Sequence, residues 1–287
     1  MAQHNIVHLY GMVHAEPSII RDDDSLQPIS ATAYLLTANS SRRYMNNGES
    51  NIPEYEQVMI TTKDPEVAAQ MAQMHLYDIV LLRGTLNTRN VNKRPTCTSC
   101  GKKFAINEMR TTNASGSDGE IYSTSMITFV TPIAVDIRAQ NLDEDTASRM
   151  LMTFRELSNE IQIIGNLCSD PKQWESGRAT SYQLGVNRKF YLKHDDPSVY
   201  ADFPYVRSYG EQAENDFEAL HAGSTVLVDG FIKMRTFTRK STCPYCGTVN
   251  TWRDKVLEVV PYSVQYLANY KTGLEREEEK QSMLDEL

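Results

Sequence analysis

Polar and apolar positions alternate with a period of two through several short segments of this chain. "TAYLLTAN" (32–39) and "SYQLGVN" (181–187) read as strands with one buried face. "NIVHLYGMV" (5–13) and "EIQIIGNL" (160–167) are apolar runs that meet a Gly, and they read as strands too. The period lengthens toward that of a helix in "KDPEVAAQMAQMH" (63–75), where Asp64 is placed to cap the N-terminus. Pro65 falls in the first turn, where its missing N–H costs nothing. A second helix is predicted over "ENDFEALHAG" (214–223), with Gly223 as its stop. A third is predicted over "DEDTASRMLMTFRELSN" (143–159), with Met150, Leu151, Phe154 and Leu157 on one face and acids at its N-terminus.

The predicted elements recur in order. "ATAYLLTANSSRRY" lies on "ATSYQLGVNRKFY" at an offset of 148, matching Ala31, Thr32, Tyr34, Leu36 and Asn39 to Ala179, Thr180, Tyr182, Leu184 and Asn187. "VLLRGTLNTRNVNKRPTCTSCG" lies on "VLVDGFIKMRTFTRKSTCPYCG" at an offset of 146, which superimposes Gly84 on Gly230 and one CxxC on the other. Pro132 then matches Pro261 at an offset of 129, so the first copy carries 17 extra residues around "TTNASGSDGE". These near-constant offsets indicate a tandem duplication. Each copy orders three strands, one helix, and two strands bracketing a long hairpin, which is the order of a five-stranded OB barrel. The expected fold is therefore all-β, with two tandem OB barrels. Residues 1–140 form the first domain, 141–158 a connecting helix, 159–268 the second domain and 269–287 an acidic tail.

Charge changes the picture locally. The 287-residue chain has a net charge of −8, which argues against a polyanionic partner until its distribution is considered. Residues 83–110 carry seven cations against one acid, and residues 233–255 carry six against one. Both basic stretches surround a CxxC, while acid collects in "RDDDS", "LDEDT" and the tail. No run of apolar residues is long enough to span a membrane. The N-terminus lacks the basic and apolar regions of a signal peptide, so a cytoplasmic location is expected. No Ser/His/Asp array, phosphate-cradling Gly loop or paired carboxylates at helical spacing is present, so no catalysis is expected.

With these segments in place, the chain resembles the bacterial single-stranded DNA-binding protein (SSB) family. "IIGNLCSDP", "TSYQLGVNRKFY", "DFPYVRSYG" and "HAGSTVLVDGFIKMRTF" resemble successive strands of that family, in its order. The resemblance implies single-stranded DNA as ligand and aromatic rings as stacking positions. These are Phe190 or Tyr191, Phe203, Tyr209 and Phe237 in the second copy. The matching positions of the first copy hold Tyr44, Tyr55, Thr61 and Val91, so the second barrel is expected to be the stronger platform. Family members often assemble four barrels around one strand, which implies a homodimer of this two-barrel chain. The tail ends "MLDEL", unlike the family's Pro-Phe ending that recruits partner enzymes.

The residues themselves suit an unpaired strand, which presents spaced phosphates and open base faces. Period-two geometry puts Phe231, Lys233, Arg235 and Phe237 on one face, with Arg239 and Lys240 following and Trp252 on the returning strand. The first copy offers Arg83, Arg89, Lys93 and Arg94 in the same region.

Neither CxxC has a further Cys or His after it at metal-binding spacing. Two pairs together make a four-thiolate site, and the expectation is one structural zinc ion held by Cys97, Cys100, Cys243 and Cys246. A site shared between two molecules and pairs oxidised to local disulfides are the competing arrangements. Cys168, in a strand, is expected to be a buried small apolar residue. The function expected is sequence-tolerant coating and protection of single-stranded DNA in replication, recombination or DNA transfer. The alternative is an OB-fold and zinc-knuckle interaction module that docks a primase, helicase or relaxase. Replication or recombination proteins are candidate partners.

Overall fold

The segments with period-two alternation do form strands. The computed structural model describes residues 4–40, 55–91, 94–104, 126–174, 177–188, 200–275 and 281. In the first half, β1 (Asn5–Val13), β2 (Ser18–Arg21), β3 (Pro28–Ala38) and β4 (Tyr55–Thr62) precede α1 (Pro65–Met71), and β5 (Ile79–Asn90) and β6 (Met126–Ala139) follow it. Then comes α2 (Glu144–Thr153). The second half runs β7 (Asn159–Leu167), β8 (Lys172–Trp174), β9 (Ala179–Asn187), β10 (Ala201–Asp202), β11 (Tyr205–Tyr209), α3 (Glu211–Ala219), β12 (Thr225–Thr242) and β13 (Val249–Ala268). More than the expected three strands precede each helix, because short strands flank the third: β2 beside β3, and β8 and β10 beside β9.

The pairings of each half close on themselves. β1 pairs antiparallel with β3 and β5, β3 with β4, β5 with β6, and β4 runs parallel to β6. The second half repeats the circuit with β7, β9, β11, β13 and β12. β1 and β7 then pair antiparallel, with Val7 opposite Ile161, and join the circuits into one sheet. A single apolar cluster runs through both halves, from Val7, Leu35 and Leu82 to Ile161, Leu184 and Val228. At its ends the sheet carries the short strands β10 and β2, and such short edges limit edge-to-edge association.

Two glycines make the closure possible. The chain bulges between Arg83 and Gly84, opposite Pro132, and between Asp229 and Gly230, opposite Pro261. A Cβ on Gly84 would lie 2.5 Å from the carbonyl oxygen of Thr131, and one on Gly230 would lie 2.3 Å from that of Val260. Both values are inside contact distance, so only glycine fits.

The pairing corrects the match between the halves. Met12 lies opposite Leu36, and Asn166, which stands in the place of Met12, lies opposite Gly185. The third strand is therefore displaced by one residue from the best sequence match. Side chains alternate faces, so a one-residue slip exchanges them. Tyr34 is 39% exposed whereas Tyr182 is 1% exposed, and Ala33 occupies the position of Tyr182. The fourth strand slips as well. Ile60 pairs with Val130 and Val206 with Val259, which puts Gln57 and Lys63 where the second half has Phe203 and Tyr209, in place of the expected Tyr55 and Thr61.

Two helices begin as expected, α3 begins three residues earlier at Glu211, and all three end earlier. Asp64 accepts the N–H groups of Glu66 and Val67, a cap that contributes about 1 kcal/mol. Asp143 caps α2 through the N–H of Thr146. α2 stops at Thr153, so Phe154 and Leu157 do not extend its buried face; they are 47% and 57% exposed, and the Phe154 ring lies 5.0 Å from that of Tyr10. α3 stops at Ala219; Gly223, at φ +88°, shapes the next turn and its N–H donates to the Leu167 carbonyl. Cys168 falls one residue past β7 and is exposed, not buried. Residues 276–280 and 282–287 of the acidic tail lie outside the described residues.

Candidate nucleic-acid interface and metal centre

Each half sends one long hairpin across the other. The hairpin of β5 and β6 is pinned at its base by Asn5, whose side-chain amide bonds both the N–H and the carbonyl of Leu86 at 2.8 Å. Asn159 does the same for Ile232 on β12. Further out, a carboxylate of the opposite half accepts a strand N–H. Glu56 takes that of Met234 at 3.1 Å, and Asp202 takes that of Thr88 at 2.6 Å. Asp202 is fully buried; Arg188 bonds both its oxygens, at 2.9 and 2.6 Å, and donates to the Thr88 carbonyl at 3.0 Å. A buried carboxylate needs such partners, and removing one strands the charge.

The hairpin tips carry the cysteines. In one, the Cys97 N–H donates to the Lys102 carbonyl and the Gly101 N–H to the Cys97 carbonyl; in the other, Cys243 with Thr248 and Gly247 with Cys243 repeat the turn. Gly101 and Gly247 have φ of +70° and +74°, which only glycine adopts readily. The four sulfurs lie within 4.8 Å of one another, with Cys97 Sγ 3.6 Å from Cys246 Sγ and Cys100 Sγ 3.7 Å from Cys243 Sγ. Sulfurs at the corners of a tetrahedron with metal bonds of about 2.3 Å would stand about 3.8 Å apart, so the donors and their spacing fit a tetrahedral ion. Asn250, 4% exposed, donates to Cys97 Sγ at 3.5 Å and accepts from the N–H of Thr98 at 2.8 Å, tying one hairpin to the other. The Cys97 thiol is lowered to about 6, first by the N–H of Cys100 and then by those of Ser99 and the Asn250 amide. Cys100 is raised to about 11: the Lys102 N–H favours its thiolate, but desolvation and the three neighbouring sulfurs outweigh it.

Below the tips, the second half presents a ladder of rings and cations. The Tyr209 ring has the Arg207 guanidinium 5.8 Å and the Lys233 ammonium 5.6 Å from its centre. Arg235 lies 5.0 Å over Phe237 and bonds Glu258 at 3.2 Å. Phe237 also packs with Tyr205, Val256 and Met126, the last from the opposite hairpin. Phe203 is 41% exposed, and its N–H donates to the Thr88 hydroxyl at 2.9 Å. Lys240 is exposed and Trp252 half-buried, the latter opposite Arg239 in the ladder.

Phe231 does not belong to this surface. It keeps the face of Lys233 and Arg235 along β12 but is 2% exposed, with its ring 5.1 Å from that of Tyr262. In the first half Tyr55 is half-buried and Arg83, Arg89 and Arg94 are exposed, with Arg89 5.5 Å over the Phe129 ring. Phe190, Tyr191, Tyr44, Lys93 and the side chain of Arg239 lie outside the described residues. Arg207 was missed by the sequence reading, although period two from Phe203 through Tyr209 puts it on their face. Arg188 and Asp202 carried no local signal.

This is a mostly β protein with two matching strand circuits, a basic aromatic face and a four-thiol centre. Residues 158–252 match the Single-strand binding protein family. Single-stranded DNA-binding protein 3 of Clostridium acetobutylicum is 31% identical over 113 residues, which cover 38% of this chain and 70% of the relative. The chain belongs to the single-strand binding protein family. Among solved structures, the wild-type single-stranded DNA binding protein from Thermus aquaticus aligns over 94% of this chain and 97% of its own, at 17% identity and a TM-score of 0.51. A deletion mutant of that protein covers 95% and 99%, with the same identity and TM-score. These structures share the fold. No helix among the described residues is long and apolar enough to cross a membrane.

Proposed function

We propose that this protein binds single-stranded DNA with little regard to sequence, and coats and protects it in replication, recombination or DNA transfer. The observation that carries this reading is the ladder of Tyr209, Lys233, Arg235 and Phe237 on the face of a chain from this family, with Arg207 buried at 6% exposure against the Tyr209 ring. Rings stack on any base, at about 1–3 kcal/mol each, and cations between them meet the phosphates. The family is one of non-enzymatic DNA-binding proteins, and no catalytic role is assigned. The matching strand circuits support two OB barrels that arose by tandem duplication. The first would span residues 1–140 and the second 159–268, with 141–158 between them and 269–287 as an acidic tail. Two such chains would place four barrels around one strand.

The four cysteines would hold one structural zinc ion, which supplies a cross-link between the two hairpin tips. The sulfur spacing and the knuckle turns support zinc over local disulfides, because sulfurs of the two hairpins approach one another at 3.6 and 3.7 Å. A role in docking other replication proteins has support in one feature, the replacement of Phe203 and Tyr209 by Gln57 and Lys63 in the first half.

Titration of labelled oligo-dT tests the main reading. Sub-micromolar affinity that falls steeply with salt is expected, together with weaker binding to duplex of the same length. Equal affinity for duplex, or none for either, would sink it.

A further inference from the structure

The joined hairpin tips carry a feature that the barrel faces do not need. Tyr245 sits between Cys243 and Cys246 and is 55% exposed. Its backbone is held by the Cys243–Thr248 and Gly247–Cys243 hydrogen bonds, so little ordering would be lost when something packs on it. The Lys102 ammonium lies 4.9 Å from the ring centre and comes from the other hairpin. Ring and cation are therefore brought together only where the four sulfurs meet. The tip segments 94–104 and 238–253 hold six cations and no carboxylate, in a chain whose net charge is −8. Lys103 and Arg94, beside Lys102, are exposed. The first knuckle has Ser99 where the second has Tyr245, so one ring serves the composite tip.

We infer that the cysteine-joined tips are a second contact for the single strand, in which an unpaired base stacks on Tyr245 while Lys102, with Lys103 and Arg94 around it, meets the adjacent phosphates. The inference rests on the single-stranded DNA reading given above. A strand gripped at the barrel face would run outward along the hairpins and end on a flat ring with cations around it.

The full chain tests this with oligo-dT of about 8 and about 35 nucleotides, below and above the reach of two barrels. Tyr245→Ser should weaken binding of the long strand about five- to hundred-fold and leave the short one unchanged, the loss expected for one stacked base. Tyr245→Phe should restore the long-strand affinity, and Lys102→Gln should weaken it and lower the salt slope by about one. In the wild type, oligonucleotides carrying 5-iododeoxyuridine should photo-cross-link to the peptide that contains Tyr245. Metal content by native mass spectrometry should be the same in wild type and Tyr245→Ser, which separates a lost contact from a disrupted knuckle. If the wild type binds both strands, but Tyr245→Ser binds as tightly and the cross-link is missing, the tip contact is wrong and the barrel reading stands. If the wild type binds neither strand, both are wrong.

Discussion

Where the second half buries the phenol of Tyr182, the first half has Ala33. The difference extends through the layer beneath each helix. Asp216 on α3 accepts from the Tyr182 hydroxyl at 3.2 Å, from the Tyr266 hydroxyl on β13 at 2.9 Å and from the Gln212 amide at 2.7 Å, so its carboxyl is bonded on both oxygens although buried. The matching strand positions of the first half are Ala33 and Ile137, and its helix buries Val67, Ala68 and Met71. The pairings are the same in both, so the strand circuit does not dictate what fills it. An apolar filling and a satisfied polar network both meet its requirements. The outer faces differ in the same sense: rings and cations on one, Gln57 and Lys63 on the other. The halves are alike where closure and the four-thiol cluster depend on them, and unlike where a ligand would be met.

Four experiments can break or sharpen this contrast. The metal centre should need both halves equally. Cys97→Ser and Cys243→Ser, each a buried sulfur of one hairpin, should both take the zinc content from one per chain to none by native mass spectrometry. A variant of one half that keeps its zinc would undo the shared site. The closure glycines should also cost the same. Gly84→Ala and Gly230→Ala each force a Cβ against a backbone oxygen, and urea unfolding should show about 2–3 kcal/mol lost from either. A large gap between the two losses would argue against equivalent bulges.

Binding should divide the halves instead. Tyr209→Ala should weaken oligo-dT binding by about 1–3 kcal/mol, and Lys63→Ala, at the matching place, by less than about 1 kcal/mol. Equal losses would mean that both faces bind alike. The smallest effect is a pH dependence confined to the second half. Desolvation raises the Asp216 carboxyl above the ordinary carboxylate range, against the hydrogen bonds that favour its charge. The folded chain thus holds this proton to higher pH than the unfolded chain does. Stability should fall as pH rises from the ordinary carboxylate value through the raised one, and then level off. Asp216→Asn should remove that slope from urea midpoints measured across the same range, and parallel curves for the two proteins would exclude it.

Much of this was legible in the residues. Asp64 announced its helix because a cap is a local bond between a side chain and N–H groups two or three residues on, whereas the acids at the start of α2 marked that end without singling out Asp143. Gly84, Gly230 and the two CxxCG turns were visible because glycine is tied to one backbone requirement at a time. The alternation within each strand was read correctly, since it needs only the period of the strand itself. Its register was not. "ATAYLL" and "ATSYQL" align better in letters than in space, and the slip that separates Tyr34 from Tyr182 is decided by what each strand pairs with. Phe231 looked like part of an exposed face, and only the tertiary structure shows it buried beside the Tyr262 ring.

What the amino-acid order determined alone was therefore the kind of each element, its caps and turns, the four thiols and the family. All of these rest on neighbours along the chain. Tertiary structure decided which tyrosine is buried, that Asp202 reaches Thr88 across 114 residues, and that the sulfurs of the two hairpins meet. Those outcomes depend on pairing register and on burial summed over the whole fold, and no short stretch of sequence contains either.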